Sequence, residues 1–194
     1  PSQIKGSGYE RTIAMIETGP TGYYVFDVFR VQGGKEHAKH THTTFAEPTV
    51  FGVRLAPSPP LYDPGTLMRA FQTGRAAGPA WGVDWKIEDK YGYVQPPRDL
   101  HLRYTDLTRD AEAYTAESWT VASATSTTEY WIPTAIVRRR SDSGDLASTF
   151  VGLLDPYQGQ PQLKRIARLD QDDAAVRVEV ELSGGIRDRL LSNA

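Results

Sequence analysis

Val176-Arg177-Val178-Glu179-Val180-Glu181-Leu182 sets an apolar side chain at every even position and a charge at every odd one. Successive side chains on a strand point to opposite faces, so this segment reads as an antiparallel strand with one dry face and one wet face. Ser183-Gly184-Gly185 follows it as a turn. Working back along the chain, residues 148–155, 130–139, 113–122, 50–55, 23–31 and 11–17 are also rich in β-branched and aromatic residues. Between them stand turn signals such as Ser141-Asp142-Ser143-Gly144, Gly33-Gly34 and Thr18-Gly19-Pro20-Thr21-Gly22. Seven short strands at such spacings predict an all-β fold, an antiparallel β-sandwich forming one domain over residues 1–194. The stretch 56–79 is rich in Pro and Gly and predicts a long loop excursion, with one short helix over 64–71.

Composition bounds the partners. The 22 basic and 24 acidic residues leave a formal net charge of -2, so no global field draws nucleic acid or an anionic membrane. With no Cys there is neither a disulfide nor a thiolate metal site. No run approaches the roughly 18 apolar residues that would span a bilayer, and Pro1-Ser2-Gln3-Ile4-Lys5-Gly6 lacks the apolar core of a secretion signal. A chain that opens on Pro1 and enters a strand at once reads as a piece of something longer. The one tight basic run, Arg138-Arg139-Arg140, reads as the solvated end of a strand.

Chemistry concentrates after the aromatic strand 23–31, where His37, His40 and His42 fall within six positions behind Gly33-Gly34. On an extended segment His40 and His42 share a face, and His37 points the other way unless the glycines bend the chain. Imidazoles on one face can begin a divalent metal site, zinc first among the candidates, with Glu36, Glu47 or Asp27 as the nearby carboxylates. Asp27 lies mid-strand among aromatics and, if buried, needs a partner, for which Arg30 or a backbone donor is expected. Trp81, Trp85, Tyr91 and Tyr93 read first as packing and second as stacking platforms for sugar rings. His101 reads as an ordinary strand histidine.

The string Tyr24-Val25-Phe26-Asp27-Val28-Phe29-Arg30-Val31-Gln32-Gly33-Gly34-Lys35-Glu36-His37 resembles the segment of heparinase II/III-like polysaccharide lyases in which a strand ends in a double glycine followed shortly by a histidine. A second histidine commonly follows five positions on, where His42 stands. Residues 11–16 and 148–157 resemble neighbouring strands of the same sandwich. The resemblance implies the C-terminal β-sandwich of an enzyme that cleaves acidic, uronate-containing polysaccharide by β-elimination. It also implies a periplasmic or secreted location and a helical toroid, absent from this sequence, that carries the main catalytic residues. No complete catalytic set is then expected in this chain. His37 would be a metal ligand or cleft histidine, with His42, Arg30 and Asp27 in support and the remaining metal ligands upstream of Pro1. The chain departs from the family pattern at Ala38, where an acidic residue is common, and at Thr43, where a glycine is.

Two alternatives stand beside it. Gly34, His40-Thr41-His42 and Glu47 match the ligand spacing of a first cupin motif, although its closing glycine would fall at Arg54. A non-catalytic carbohydrate-binding sandwich would instead use aromatic side chains and the 56–79 excursion.

Overall fold

The computed structural model describes residues 7–20, 22–121, 128–170 and 172–193. Its strands are β1 (Gly8–Glu17), β2 (Tyr23–Gln32), β3 (Glu36–His42), β4 (Ala46–Phe51), β5 (Ala56–Pro57), β6 (Met68–Gly74) and β7 (Trp81–Ile87). They continue with β8 (Leu100–Asp106), β9 (Glu112–Val121), β10 (Glu129–Arg140), β11 (Ala147–Gln158), β12 (Leu163–Arg168), β13 (Ala175–Leu182) and β14 (Arg187–Asn193). A six-stranded sheet runs β1-β2-β11-β8-β7-β4, a five-stranded sheet β3-β10-β9-β6-β5 and a three-stranded sheet β12-β13-β14. Each ladder within them is antiparallel. The expected antiparallel sandwich is therefore present, with a third layer added to it.

The six-stranded sheet is the middle layer. Along β2, Tyr24, Phe26 and Val28 turn to one face and pack with Val151 and Leu153 of β11 against Val176, Val178, Val180 and Leu182 of β13. The alternation read in 176–182 is borne out, since these four β13 side chains are buried while Arg177 is exposed. Val31 of β2 lies on the opposite face, where it joins Trp81, Val83, Trp85, Tyr104 and Phe150 against Ala135 and Val137 of β10. A smaller core of Phe71, Tyr114, Ala116 and Ile136 lies on the far side of the five-stranded sheet, under Leu61 and Tyr62.

The stretch 56–79 departs from the expected loop and helix. It holds β5, a single 3-10 turn over Pro64–Thr66 and the seven-residue strand β6. Leu67 takes a left-handed conformation (φ 53°) that ends the turn after three residues, and β9 offers β6 a ladder that a helix would forgo. Irregular chain remains in the connection between β5 and β6, which covers the outer core, and in 75–79 after β6. Arg138 also departs from the solvated reading: it is buried, donating to Tyr114 Oη at 2.6 Å and to Glu112 Oε2 at 2.9 Å. Ala122, the last residue of one predicted strand, and residues 1–6 lie outside the described residues.

One ion pair joins the two larger sheets. Asp27 of β2 and Lys39 of β3 are both almost fully buried, with Nζ 2.7 Å from Oδ2. Arg11 of β1 adds two hydrogen bonds to the same carboxylate, at 2.9 and 3.0 Å. Burial pushes the Asp27 carboxyl up, but Arg11 and Lys39 outweigh it and hold the group below its ordinary value. Arg30, the expected partner, is instead bonded to Ser192 and Glu10. Positions 27 and 30 are three apart on a strand and so face opposite sides of the sheet. Removing one member of a buried pair strands the other charge, so Asp27→Ala should cost about 3–5 kcal/mol in urea unfolding. Asp27→Leu combined with Lys39→Met should recover most of that loss, and equal destabilisation by the single and double changes would refute the assignment.

Candidate functional site

The double glycine does bend the chain. Gly33 and Gly34 hold φ of 94° and 83°, conformations open mainly to glycine, and they carry β2 of the middle sheet over into β3 of the five-stranded sheet. On β3 the side chains alternate as expected, with His37 and Lys39 buried between sheets and His40 and His42 on the other face. His37 is bonded at both ring nitrogens: Nε2 donates to the Gly33 carbonyl at 2.6 Å, and Nδ1 meets Ser148 Oγ of β11 at 2.9 Å. It thus closes the turn that positions it. His40 Nε2 lies 3.0 Å from Tyr62 Oη and its ring 5.6 Å from that tyrosine, which pins the connection between β5 and β6 over the outer core. Burial, with His42 adding to it, pushes the His40 imidazole below its ordinary value. His42 Nδ1 donates to Thr43 O at 3.2 Å at the exposed end of β3.

These residues do not converge on a metal. Glu47 stands on β4, in a different sheet from His40 and His42. Among the described residues no three His, Asp or Glu side chains come together as ligands. A metal at His37 would need a ring nitrogen now bonded to Gly33 or Ser148 and further ligands from elsewhere, so the residues present do not fit one by themselves.

Side chains that do converge lie on the six-stranded sheet, on the face turned away from the five-stranded one. Asp84 of β7 accepts from His101 Nδ1 at 2.7 Å through one carboxylate oxygen. Its other oxygen accepts from Arg103 Nε at 2.7 Å and from Tyr157 Oη at 2.5 Å. The His101 and Tyr157 rings stack at 4.8 Å and 14°. The registers Lys86↔His101 and Tyr157↔His101 set β7, β8 and β11 side by side, so alternate residues of three strands meet on one face. Burial pushes the Asp84 carboxyl up, but the bonds from Tyr157, His101 and Arg103 outweigh it, and the group titrates below its ordinary value. Burial, together with the same contact, pushes the Tyr157 phenol well up, so it stays a donor at neutral pH. With Nδ1–H given to Asp84, His101 presents Nε2 as its second site, 3.5 Å from Asp99 Oδ1. The arrangement can position an imidazole, a guanidinium and a phenol against a polar ligand.

Of this quartet only His101 stood out in the sequence, and it stood as an ordinary strand histidine. The available signal was the set of polar residues at alternate positions in Trp81-Gly82-Val83-Asp84-Trp85-Lys86-Ile87 and Leu100-His101-Leu102-Arg103. Tyr157 had no such signal. The mid-chain aromatics divide: Trp81 and Trp85 are core, while Tyr91 and Tyr93 are exposed in the β7–β8 connection.

No protein-family profile matches the chain, and no curated protein matches it. Solved structures do. The heparan sulfate lyase HepC from Pedobacter heparinus aligns over 97% of this chain and 27% of its own, with 12% identity and a TM-score of 0.51. A heparinase III with methylated lysines aligns over 96% and 26%, with 9% identity and a TM-score of 0.49. The chain spans about a quarter of the length of these proteins. The likeness to lyases expected from the glycine–histidine segment is thus present as a likeness of fold.

Asp84 supplies a test of the quartet. Asp84→Asn removes the charge that three donors share and should cost about 2–3 kcal/mol at neutral pH in chemical denaturation. Because the folded carboxyl titrates below its ordinary value, its contribution is complete above the ordinary carboxylate range and is lost as the pH falls through the lower folded value. The gap between wild type and variant should therefore hold down to about pH 4 and narrow below it. A gap that is constant across that acid range would contradict the assignment.

Proposed function

We propose that this chain is the β-sandwich part of a polysaccharide lyase that cleaves acidic, uronate-containing polysaccharide by β-elimination, with its main catalytic residues in a helical domain outside this sequence. The observation that supports the reading is the fold match to HepC, which takes in nearly all of this chain and about a quarter of that one. The glycine–histidine segment of 24–37 agrees with it. Elimination takes a proton from the carbon beside the uronate carboxyl, protonates the leaving oxygen and stabilises the charge that develops on the carboxylate. Nothing in the His37 environment is arranged to do all three, and in this reading His37 and Ser148 hold the β2–β3 corner in shape for the neighbouring domain. Periplasmic or secreted location, and a divalent metal completed by residues outside this chain, belong to the same proposal.

A purely carbohydrate-binding sandwich is the second reading, favoured by the exposed aromatic rings beside the Asp84 quartet. A cupin-like centre lacks support, because the sheets do not close into a barrel and Glu47 lies on a different sheet from the paired histidines. The test is the protein as encoded, incubated with heparan, heparin, alginate and other uronate polymers. A rise in the ultraviolet absorbance of unsaturated uronate, with shortening of the polymer, is expected for at least one. A folded protein that leaves every such polymer intact would overturn the lyase reading.

A further inference from the structure

The connection between β7 and β8 builds a second surface that the lyase reading does not use. Tyr91 and Tyr93 stack at 5.3 Å and 26° and are exposed, Tyr93 to 82%. An aromatic side chain that far out in water contributes little to a core, yet its backbone is fixed. Asp89 accepts hydrogen bonds from the Tyr93 and Val94 amides at 3.0 and 2.7 Å, and these bonds hold its carboxyl below its ordinary value. On the inner side Phe45 packs against Tyr91 and Tyr130, with the Lys90 ammonium over both Phe45 and Tyr130. Between the tyrosines, Phe45 and the start of β8 lies a cleft of about 570 Å³, with Gln95 and Arg98 on its rim. That volume is in the range of small-ligand sites. Ile87 and Leu100 line both this cleft and the neighbouring hollow over His101 and Tyr157, so the two aromatic pairs border one continuous surface.

The charges say what kind of ligand fits. Residues 84–103 carry four basic side chains, Lys86, Lys90, Arg98 and Arg103, and four acidic ones, Asp84, Glu88, Asp89 and Asp99. Three of the basic groups are already paired, Lys86 with Asp99, Lys90 with Glu88 and Arg103 with Asp84. Such a balanced surface carries no net charge to attract a polyanion. What it offers is flat rings with polar groups at the edges, which complements the CH face and hydroxyl rim of an uncharged sugar.

We propose that the cleft bounded by Phe45, Tyr91, Tyr93 and Arg98 is a binding site for neutral glycan, with one sugar ring stacked on Tyr93 and the chain running over Leu100 toward His101 and Tyr157. It extends the carbohydrate reading but does not depend on lyase activity: a protein that fails to cleave uronate polymers would still bind here.

The test titrates the 194-residue chain with neutral hexasaccharides, cello-oligosaccharide and N-acetylchito-oligosaccharide, against a heparin hexasaccharide, following amide resonances by NMR. A neutral hexasaccharide should shift the amides of Tyr91, Tyr93 and Leu100, and a tenfold rise in salt should change its affinity by less than about twofold. Tyr93→Ala should weaken binding about tenfold while Tyr93→Phe stays within about twofold of wild type. Because Tyr93 is so exposed, both variants should keep the unfolding midpoint of the parent. If neither neutral sugar shifts the cleft amides, or if only the heparin fragment binds and salt abolishes that binding, the proposal is overturned.

Discussion

The β2 and β11 part of the six-stranded sheet is covered on both faces, and the other two layers are placed by that constraint. β2 and β11 supply Tyr24, Phe26, Val28, Val151 and Leu153 to one interface and Val31 and Phe150 to the other. A strand buried on both sides carries apolar residues in near-continuous runs, as in Tyr23-Tyr24-Val25-Phe26-Asp27-Val28-Phe29. At about 25 cal/mol per Å² of apolar surface, these two interfaces dominate the folding free energy. Shifting β2 by one residue would exchange Tyr24, Phe26 and Val28 with Tyr23, Val25 and Asp27 and spoil both at once, so the register is strongly specified.

Buried carboxylates then fix how the layers connect. Asp27 ties the middle sheet to β3 through Lys39. Asp155, near the end of β11, accepts from the amides of Gln162 and Leu163 at 3.0 and 3.1 Å and so turns the chain into the three-stranded sheet. Burial pushes its carboxyl up, and those bonds offset only part of the shift. Asp170 performs the corresponding task at the far end of β12, bonded to Arg168 and to the amide of Arg177. Asp155 and Asp170 thus accept backbone donors that would otherwise be left without partners where the chain turns, whereas Asp27 joins two layers through side chains alone.

The legible part of this fold was the part governed by local alternation. In 176–182 one face is wet, so the pattern named the strand and its buried side together. Six of the seven predicted strands are present, whereas the one expected over 50–55 keeps only Val50 and Phe51, at the end of β4; several further strands have mixed patterns for a physical reason. β7 reads Trp81-Gly82-Val83-Asp84-Trp85, buried throughout because a polar network occupies one of its faces. β6 contains a register shift between Arg69 and Gln72, with Ala70 at φ 54°, so it has no clean period of two. The site was legible in the same measure. Clustering of His37, His40 and His42 was visible, but clustering in sequence says nothing about direction, and β3 sends His37 and His40 into different environments. Asp84, His101, Arg103 and Tyr157 come from three strands, the last more than fifty residues from the others, and only the β11–β8 register brings them together.

That register also explains why the candidate surfaces lie where they do. The three-stranded sheet packs over the β2 and β11 part of the middle layer, and its core does not extend to β7. Beyond it, the face of β7 and β8 is left to polar side chains, so Asp84, Lys86, His101 and Arg103 take positions that on β2 are held by Tyr24, Phe26 and Val28. Water-facing charges on a sheet need no common partner, yet here three donors share one carboxylate. Holding them costs side-chain entropy that a purely solvated face would avoid. Ordered polar groups beside exposed stacked rings make this end of the sandwich the place where the chain is built to meet something other than itself.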